Sequence, residues 1–135
     1  MNSLQSDAAE SDFNGLSSQV IGAAIEVHRA LGSGLLESAY AACLARELES
    51  RSIHFEREVG LPIEFKGIRL DCGYRMDFVI ASKLIVEVKA VEALHPLHST
   101  QLLTYLRLSR LRLGLLLNFH AGTMKQGIKR VVNNF

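Results

Sequence analysis

The run RLGLLLNF at residues 112–119, apolar from Leu113 to Leu117, constrains the fold more than any other stretch of this 135-residue chain. Such a run, bounded by turns, predicts a buried strand. A helical pattern at 97–110 (LHSTQLLTYLRLSR) precedes it, and an apolar strand pattern at 84–91 (LIVEVKAV) precedes that helix. The order strand–helix–strand predicts a crossover between parallel neighbours. We therefore expect a mixed sheet with helices packed on it.

The remaining pattern places two helices before a run of strands. Apolar residues recur at helical spacing in 17–32, where Ser17 or Ser18 can serve as the N-cap, and again in 34–51. From 53 to 80 the pattern changes to short alternating pieces separated by glycines, which predicts consecutive antiparallel strands. With a short last strand at 127–133, the order α-α-β-β-β-β-α-β-(β) indicates one α/β domain over 13–135.

Residues 1–12 (MNSLQSDAAESD) are small, polar and acidic, and we expect a flexible leader there. They lack the basic and apolar segments of a signal peptide. No apolar run approaches the roughly 18 residues needed to span a bilayer. Cys43 and Cys72 form no CxxC pair and are expected to be reduced thiols. These features predict a cytoplasmic protein without membrane contact.

Charge is distributed unevenly along the chain, although the formal net charge is only +1. No Asp or Glu occurs from Ser99 to the end. The basic residues of that part are Arg107, Arg110, Arg112, Lys125, Lys129 and Arg130. Two interpretations stay open: a surface that faces a polyanion, or a solvated basic face without a specific partner.

Glu87 and Lys89 stand two positions apart in the strand at 84–91, so they share one face of the sheet. The preceding strand carries Asp77. If the hairpin loop has three residues, Ala81 to Lys83, Asp77 lies opposite Glu87, about 5 Å away at Cβ. A two-residue loop would move Asp77 to the other face. Three-residue loops usually place Gly in the left-handed position, and this loop has none.

Two neighbouring carboxylates in an apolar strand repel each other and are costly to desolvate. A well-placed lysine or a divalent cation can offset that cost. Mg²⁺ accepts one or two carboxylates together with water and phosphate oxygens, and a neighbouring lysine can orient the attacking water. This combination is typical of metal-assisted phosphodiester hydrolysis.

Asp77 followed by Glu87-Val88-Lys89 resembles the core motif of the PD-(D/E)XK nuclease superfamily. Gly34, Glu37 and Tyr40 in GLLESAY resemble the GxxExxY protein family, a branch of that superfamily. Further blocks of the same family follow in the same order: RMDFVI, VEVKAV, QLLTYL, GLLLNF and IKRVVN. The resemblance spans residues 15–133 and implies a restriction-endonuclease-like core, in which helices flank a mixed central sheet of β-hairpins and a parallel crossover strand.

The resemblance also implies roles for particular residues. Asp77 and Glu87 would bind Mg²⁺ or Mn²⁺ with help from the Val88 backbone carbonyl, and Lys89 would hold the water or the scissile phosphate. Glu37 matches an acid that a helix supplies near the metal, and Gln101 matches a polar residue that faces substrate. Met76 stands where the motif name has proline, at a position that varies in the superfamily.

For several other residues two readings stay open. Tyr40 shares a helix face with Glu37, and either hydrogen-bonds that acid near the substrate or packs in the core. Arg75, in phase with Asp77, either pairs with a carboxylate or contacts a phosphate. His95 and His98 flank Pro96 just beyond the strand at 84–91, but no zinc-type spacing is present.

The sequence as a whole predicts a metal-dependent nuclease that acts on DNA or RNA. The basic final third would follow the nucleic-acid backbone, and a homodimer would enlarge the contact. The alternative is a binding module that keeps the fold without the chemistry and holds nucleic acid, a nucleotide or a protein.

Overall fold

The computed structural model describes the backbone of residues 3–134 and the side chains of residues 14–134. Over that range the chain forms helices α1 (Ser3–Leu31) and α2 (Glu37–Ser50), strands β1 (Phe55–Gly60), β2 (Ile63–Phe65), β3 (Ile68–Leu70), β4 (Arg75–Ile80) and β5 (Leu84–Lys89), helix α3 (Pro96–Ser109), strand β6 (Leu113–Asn118), a 3-10 turn (Lys125–Gly127) and strand β7 (Ile128–Val132). Within residues 3–134, no helix is both long and apolar enough to cross a bilayer.

Five strands form the central sheet in the order β1-β4-β5-β6-β7. Strands β5 and β6 are parallel, with Leu84 opposite Leu113 and Lys89 opposite Asn118, and the other neighbours in this sheet are antiparallel. Helix α3 provides the connection from β5 to β6. The predicted crossover, the mixed sheet and the last short strand are therefore confirmed.

Helices cover both faces of this sheet. On one face α1 and α2 bury residues such as Val20 and Leu44 against Phe78 and Val86. On the other face α3 packs against Ile85 and its neighbours. Gly114 of β6 allows this close approach, because a Cβ atom there would lie 2.9 Å from the Leu102 side chain of α3. Both faces are apolar along β4 and β5, which makes the polar residues of this hairpin conspicuous.

Helix α1 begins earlier than the sequence pattern indicates. Ser17 and Ser18 lie inside the helix, so the prediction that one of them forms the N-cap is wrong. The buried Ser17 hydroxyl instead donates back to the Asn14 carbonyl at 3.1 Å, a bond that serine makes within helices. Residues 3–12 of the expected leader continue α1, residues 1 and 2 lie outside the described range, and the flexibility of this segment stays a prediction.

The predicted order has four strands between α2 and α3, but the structure has five, because residues 61–73 divide into the two strands of a separate hairpin. Strands β2 and β3 pair with each other in a second sheet, with Ile63 opposite Leu70. The turn between them uses Lys66 and Gly67, both at positive φ (49° and 76°). A tight two-residue hairpin turn requires positive φ at both of its residues. This turn therefore divides the segment into two paired strands.

The loop from β4 to β5 has three residues and sets Ile80 opposite Leu84, as the longer of the two predicted loops requires. The Lys83 amide donates to the Ile80 carbonyl at 2.9 Å. Ala81 and Ser82 take up positive φ values of 51° and 56° without being glycine. The loop thus adopts a conformation that costs a non-glycine residue about 1 kcal/mol or more.

Replacing Ser82 with glycine is therefore expected to raise the free energy of unfolding by about 0.5 kcal/mol, because relief of this strain exceeds the added entropy of the unfolded chain. Urea unfolding with an unchanged m-value would measure the gain. Ser18→Gly, made in the exposed middle of α1, is the matched control and should lower stability. Equal losses in both variants would contradict the strained-loop interpretation.

Candidate active site

Two carboxylates bridge β4 and β5 at the point where regular backbone pairing stops. The ladder between these strands ends at Phe78 and Val86. Beyond it, the Asp77 amide donates to Glu87 Oε2 at 2.7 Å, and the Val88 amide donates to Asp77 Oδ2 at 2.8 Å. Each carboxylate thus accepts a backbone bond from the opposite strand, and the predicted register brings Asp77 and Glu87 together.

Burial makes both carboxylates costly to ionise. The Glu87 side chain lies within the sheet, and the residue is only 5% exposed. Its pKa is raised to about 7, first by burial and then by the negative charge of Asp77. Burial also raises the pKa of Asp77, while the bond from the Val88 amide and the charge of Lys89 oppose that rise. The pair therefore lies in surroundings that favour a nearby positive charge.

Lys89 supplies part of that charge from the end of β5. Its side chain is half-buried, and its positive charge lowers the pKa values of both carboxylates. The ion pairs Arg29–Glu26, Arg46–Glu49 and Arg51–Glu47 lie on α1, on α2 and at the C-terminal end of α2, and none of them includes Lys89. The ammonium is thus near the carboxylates without being fixed in an ion pair.

Glu37 approaches the same end of β5 from the first residue of α2. Its Oε1 accepts a bond from the Ala90 amide at 3.3 Å. A cleft of about 320 Å³ lies beside it, and its lining residues are Glu37, Ser38, Ala41, Arg57, Glu58, Asp77 and Val88. Glu37 therefore shares this cleft with Asp77, as the predicted site requires, and as the first residue of α2 it also suits the helix dipole.

None of the three predicted substrate contacts lines the cleft that contains Asp77. Gln101 is exposed on α3 and lines a separate cavity of about 280 Å³ with His95, Leu97 and His98. Arg75 is exposed at the start of β4, where its Nη1 donates to the Tyr74 carbonyl at 3.3 Å. Neither residue lines the cleft that contains Asp77.

Tyr40 follows the packing alternative. Its ring is fully buried and stacks on Phe119 with 4.6 Å between the ring centroids. Its hydroxyl donates to the Gly32 carbonyl at 2.5 Å and accepts from the Leu35 amide at 3.1 Å. The tyrosine of the GLLESAY block thus fixes the loop between α1 and α2, and the structure gives no support for a substrate contact.

His95 and His98 cap the start of α3. Nδ1 of His95 accepts from the Leu97 amide at 3.0 Å, and Nδ1 of His98 accepts from the His95 amide at 3.1 Å. Burial and the positive charge of Lys89 lower the pKa of His98, which keeps this acceptor free of a proton. These contacts give the two histidines a structural role at the edge of the site.

Tyr105 and Asn118 lie near the site, and the sequence did not identify them as site residues. Burial raises the pKa of Tyr105, and the negative charge of Glu87 raises it further. Asn118, buried at the end of β6, holds both the amide and the carbonyl of Val91 (3.0 and 2.9 Å) and so fixes the chain just after Lys89. A single polar residue at the end of an apolar strand was the available signal for Asn118.

The basic residues of the final third are divided between the two ends of the sheet. Because β5 and β6 are parallel, the end of α3 and the start of β6 lie at the opposite end of the sheet from Lys89. That end carries Arg107, Arg110 and Arg112. The connection after β6, with Lys125, returns to the end of the sheet that holds the carboxylates, and Lys129 of β7 lies in register with Glu87, because both residues are opposite Leu116 of β6.

The donor set at the site suits a hard divalent cation. Asp77, Glu87 and the Val88 carbonyl offer oxygen atoms only, and one oxygen of each carboxylate accepts no hydrogen bond from residues 14–134. Within that described part, no three His, Cys, Asp or Glu side chains lie close enough to form a metal site by themselves. Mg²⁺ requires only one or two carboxylates, because it retains water ligands. The residues present therefore fit such an ion.

The fold and the site together define a class of protein. A mixed sheet flanked by helices, with an Asp on one strand and Glu-x-Lys on the next, is the arrangement of restriction-endonuclease-like, PD-(D/E)XK-type proteins. A family model described as the PD-(D/E)XK nuclease superfamily matches residues 14–131. The chain belongs to that superfamily. Searches of curated proteins and of solved structures gave no significant match.

Proposed function

We propose that the protein is a metal-dependent nuclease that hydrolyses phosphodiester bonds of DNA or RNA. The observation that carries this proposal is the reciprocal pair of bonds from the Asp77 amide to Glu87 and from the Val88 amide to Asp77. These bonds hold the buried Glu87 carboxylate beside the half-buried Asp77 carboxylate, which lines an open cleft. The narrower assignment to the GxxExxY family is part of the same proposal.

In this proposal Asp77, Glu87 and the Val88 carbonyl would hold Mg²⁺ or Mn²⁺. When bound, the ion lowers the pKa of a water molecule and stabilises charge on the phosphate. Lys89 would orient the attacking water, and Glu37 would accept hydrogen bonds at the edge of the cleft. The oxygen of water would attack phosphorus and release its proton to solvent, one P–O ester bond would break, and the departing oxygen would receive a proton from solvent.

The raised pKa of Glu87 predicts how the affinity for Mg²⁺ changes with pH. With a pKa of about 7, the Glu87 carboxyl is about half protonated at neutral pH. Metal binding requires the carboxylate, so the proton has to leave first. Apparent affinity for Mg²⁺ should therefore rise as the pH increases through 7.

The direct test is cleavage of single- and double-stranded DNA and RNA with Mg²⁺, with Mn²⁺ and with EDTA. We expect cleavage with either metal and none with EDTA. Asp77→Asn should remove the cleavage because a metal ligand is lost. Asp71→Asn is the matched control, since Asp71 is exposed and its side chain accepts only the Gly73 amide at 3.0 Å, a bond that asparagine retains.

Two outcomes would contradict the proposal. Cleavage that survives in Asp77→Asn would point to a contaminating enzyme. Absence of cleavage by the wild type on every substrate, with metal binding retained, would favour a binding module on the same fold. Size-exclusion chromatography with light scattering would test the proposed homodimer separately, and cell fractionation would test the expected cytoplasmic location.

A further inference from the structure

The cleft beside Asp77 has an unusual balance of charge. Three of its lining residues, Glu37, Glu58 and Asp77, are acidic, and Arg57 is its only basic one within the described part of the chain. A phosphodiester that enters such a cleft meets repulsion unless cations are present. The proposed metal supplies one positive centre at Asp77. Arg57 is placed to supply a second positive charge, on the side of the cleft that β1 forms.

Arg57 and Glu58 both face the cleft because β1 is distorted between them. In a regular strand, neighbouring side chains point to opposite faces. Here Arg57 pairs with Phe78 and Val59 with Met76, but Glu58, opposite Asp77, is skipped. Its φ of 49° is left-handed, within an edge strand and without an inserted residue. This backbone turn lets two successive residues line the same cleft.

The guanidinium of Arg57 is held in position yet remains available. Its Cζ atom lies 5.3 Å from the centroid of the Phe78 ring, a cation–π contact that orients the group. Within residues 14–134 it makes no ion pair and no hydrogen bond, and Arg57 is exposed. A planar group with five free donors matches the oxygen atoms of a phosphate.

We infer that Arg57 binds a backbone phosphate of the nucleic-acid strand that occupies this cleft. The inference rests on the proposed function, since it concerns the substrate of the same site. Arg57 would contribute to binding of the nucleic-acid strand. The carboxylate pair and Lys89 would act in cleavage of the phosphodiester bond. The left-handed backbone conformation of Glu58 is then part of the binding site, because it brings the side chains of Arg57 and Glu58 to the same cleft.

The test measures binding without cleavage. Fluorescence anisotropy would follow labelled single-stranded and duplex oligonucleotides in Ca²⁺, over a series of NaCl concentrations, for wild type, Arg57→Gln, Arg57→Lys and Arg69→Gln. Arg69 is an exposed arginine of β3, outside the central sheet, and is the matched control. We expect Arg57→Gln to weaken binding about tenfold, as loss of a charged phosphate contact does.

The salt dependence of binding distinguishes two possible roles of Arg57. The side chain either contacts a phosphate or neutralises the negative charge of Glu37 and Glu58. Loss of one contact should reduce the slope of log K against log salt by about 0.7–0.9. Arg57→Lys should restore the slope but not the full affinity, because an ammonium lacks the planar fork. A normal slope in Arg57→Gln, with altered Ca²⁺ affinity or thermal stability, would overturn the inference.

The remaining outcomes distinguish this inference from the proposed function. Arg57-dependent binding without cleavage under any metal would support the inference and overturn the nuclease. Cleavage by the wild type, with equal affinity in Arg57→Gln and Arg69→Gln, would overturn the inference alone. No binding of any oligonucleotide would overturn both.

Discussion

Replacing Glu87 with glutamine is expected to make the metal-free protein more stable at pH 8, by about 2 kcal/mol. Most substitutions of buried polar residues destabilise a protein, so the sign of this effect is informative. The buried side chain accepts a bond from the Asp77 amide at 2.7 Å, and a glutamine oxygen can accept the same bond. The substitution therefore removes a charge without removing the acceptor.

The pH dependence of this difference follows from the direction of the pKa shift. The pKa of Glu87 rises from 4.5 to about 7 on folding, mainly through burial. Between these values Glu87 holds more protons in the folded protein than in the unfolded chain, so its contribution to the stability of the wild type falls as the pH rises. The variant lacks this group, and the two proteins should differ little below pH 4.5 and most above pH 7.

A divalent cation should reverse the order of stability. At pH 8, Mn²⁺ or Mg²⁺ that binds only the folded wild type stabilises it by RT ln(1 + [L]/Kd). Glu87→Gln loses a carboxylate ligand and should gain much less. Thermal unfolding across pH 4 to 8, with and without metal, measures both effects. Glu92→Gln, made at an exposed glutamate of the following loop, is the control and should match the wild type in both experiments.

A lower stability of Glu87→Gln at pH 8 without metal would contradict this account. It would mean that the ionised carboxylate stabilises the fold by itself, through contacts stronger than its cost of burial. The pair would then be a structural element of the hairpin. If Glu87→Gln is more stable than the wild type and is not stabilised by metal, the ionised Glu87 carboxylate destabilises the metal-free fold and serves to bind a metal ion.

The sequence predicted those parts of the fold that depend on patterns of apolar residues. The run from Leu113 to Phe119 specified a buried strand, and the helix before it specified the crossover that makes β6 parallel to β5. The partnership of Asp77 and Glu87 depended on the length of one loop. Glycine preferences argued against that loop, yet Ala81 and Ser82 adopt the left-handed conformation, because pairing of the two buried strands outweighs a local strain.

Other parts of the site depended on single backbone angles and on loop contacts. Alternation along β1 would place Arg57 and Glu58 on opposite faces, and nothing in their side chains encodes the φ of 49° that brings both to the cleft. For Tyr40 the helical spacing indicated only that it lies near Glu37. Its actual partners are backbone atoms of Gly32 and Leu35, which no side-chain pattern reveals.

Replacing Lys89 with methionine is expected to lower the rate of cleavage at saturating substrate by at least about a hundredfold, the usual effect of removing a group that positions water or stabilises developing charge. Methionine keeps an unbranched apolar chain in a half-buried position, so the fold should persist. The measurement is the single-turnover rate with Mg²⁺ at pH 8, where proton competition for the carboxylates is small.

Metal affinity distinguishes a role in the reaction from a role in holding the carboxylates. The charge of Lys89 lowers the pKa values of Asp77 and Glu87, so it also repels a cation bound between them. At pH 8 Lys89→Met should therefore bind Mn²⁺ at least as tightly as the wild type while cleaving far more slowly. Lys66→Met, at the turn of the β2–β3 hairpin, removes the same charge outside the central sheet and should leave both quantities unchanged. If metal binding and cleavage fell together in Lys89→Met, the lysine would be a support for the metal site, and the water that attacks the phosphate would need another partner.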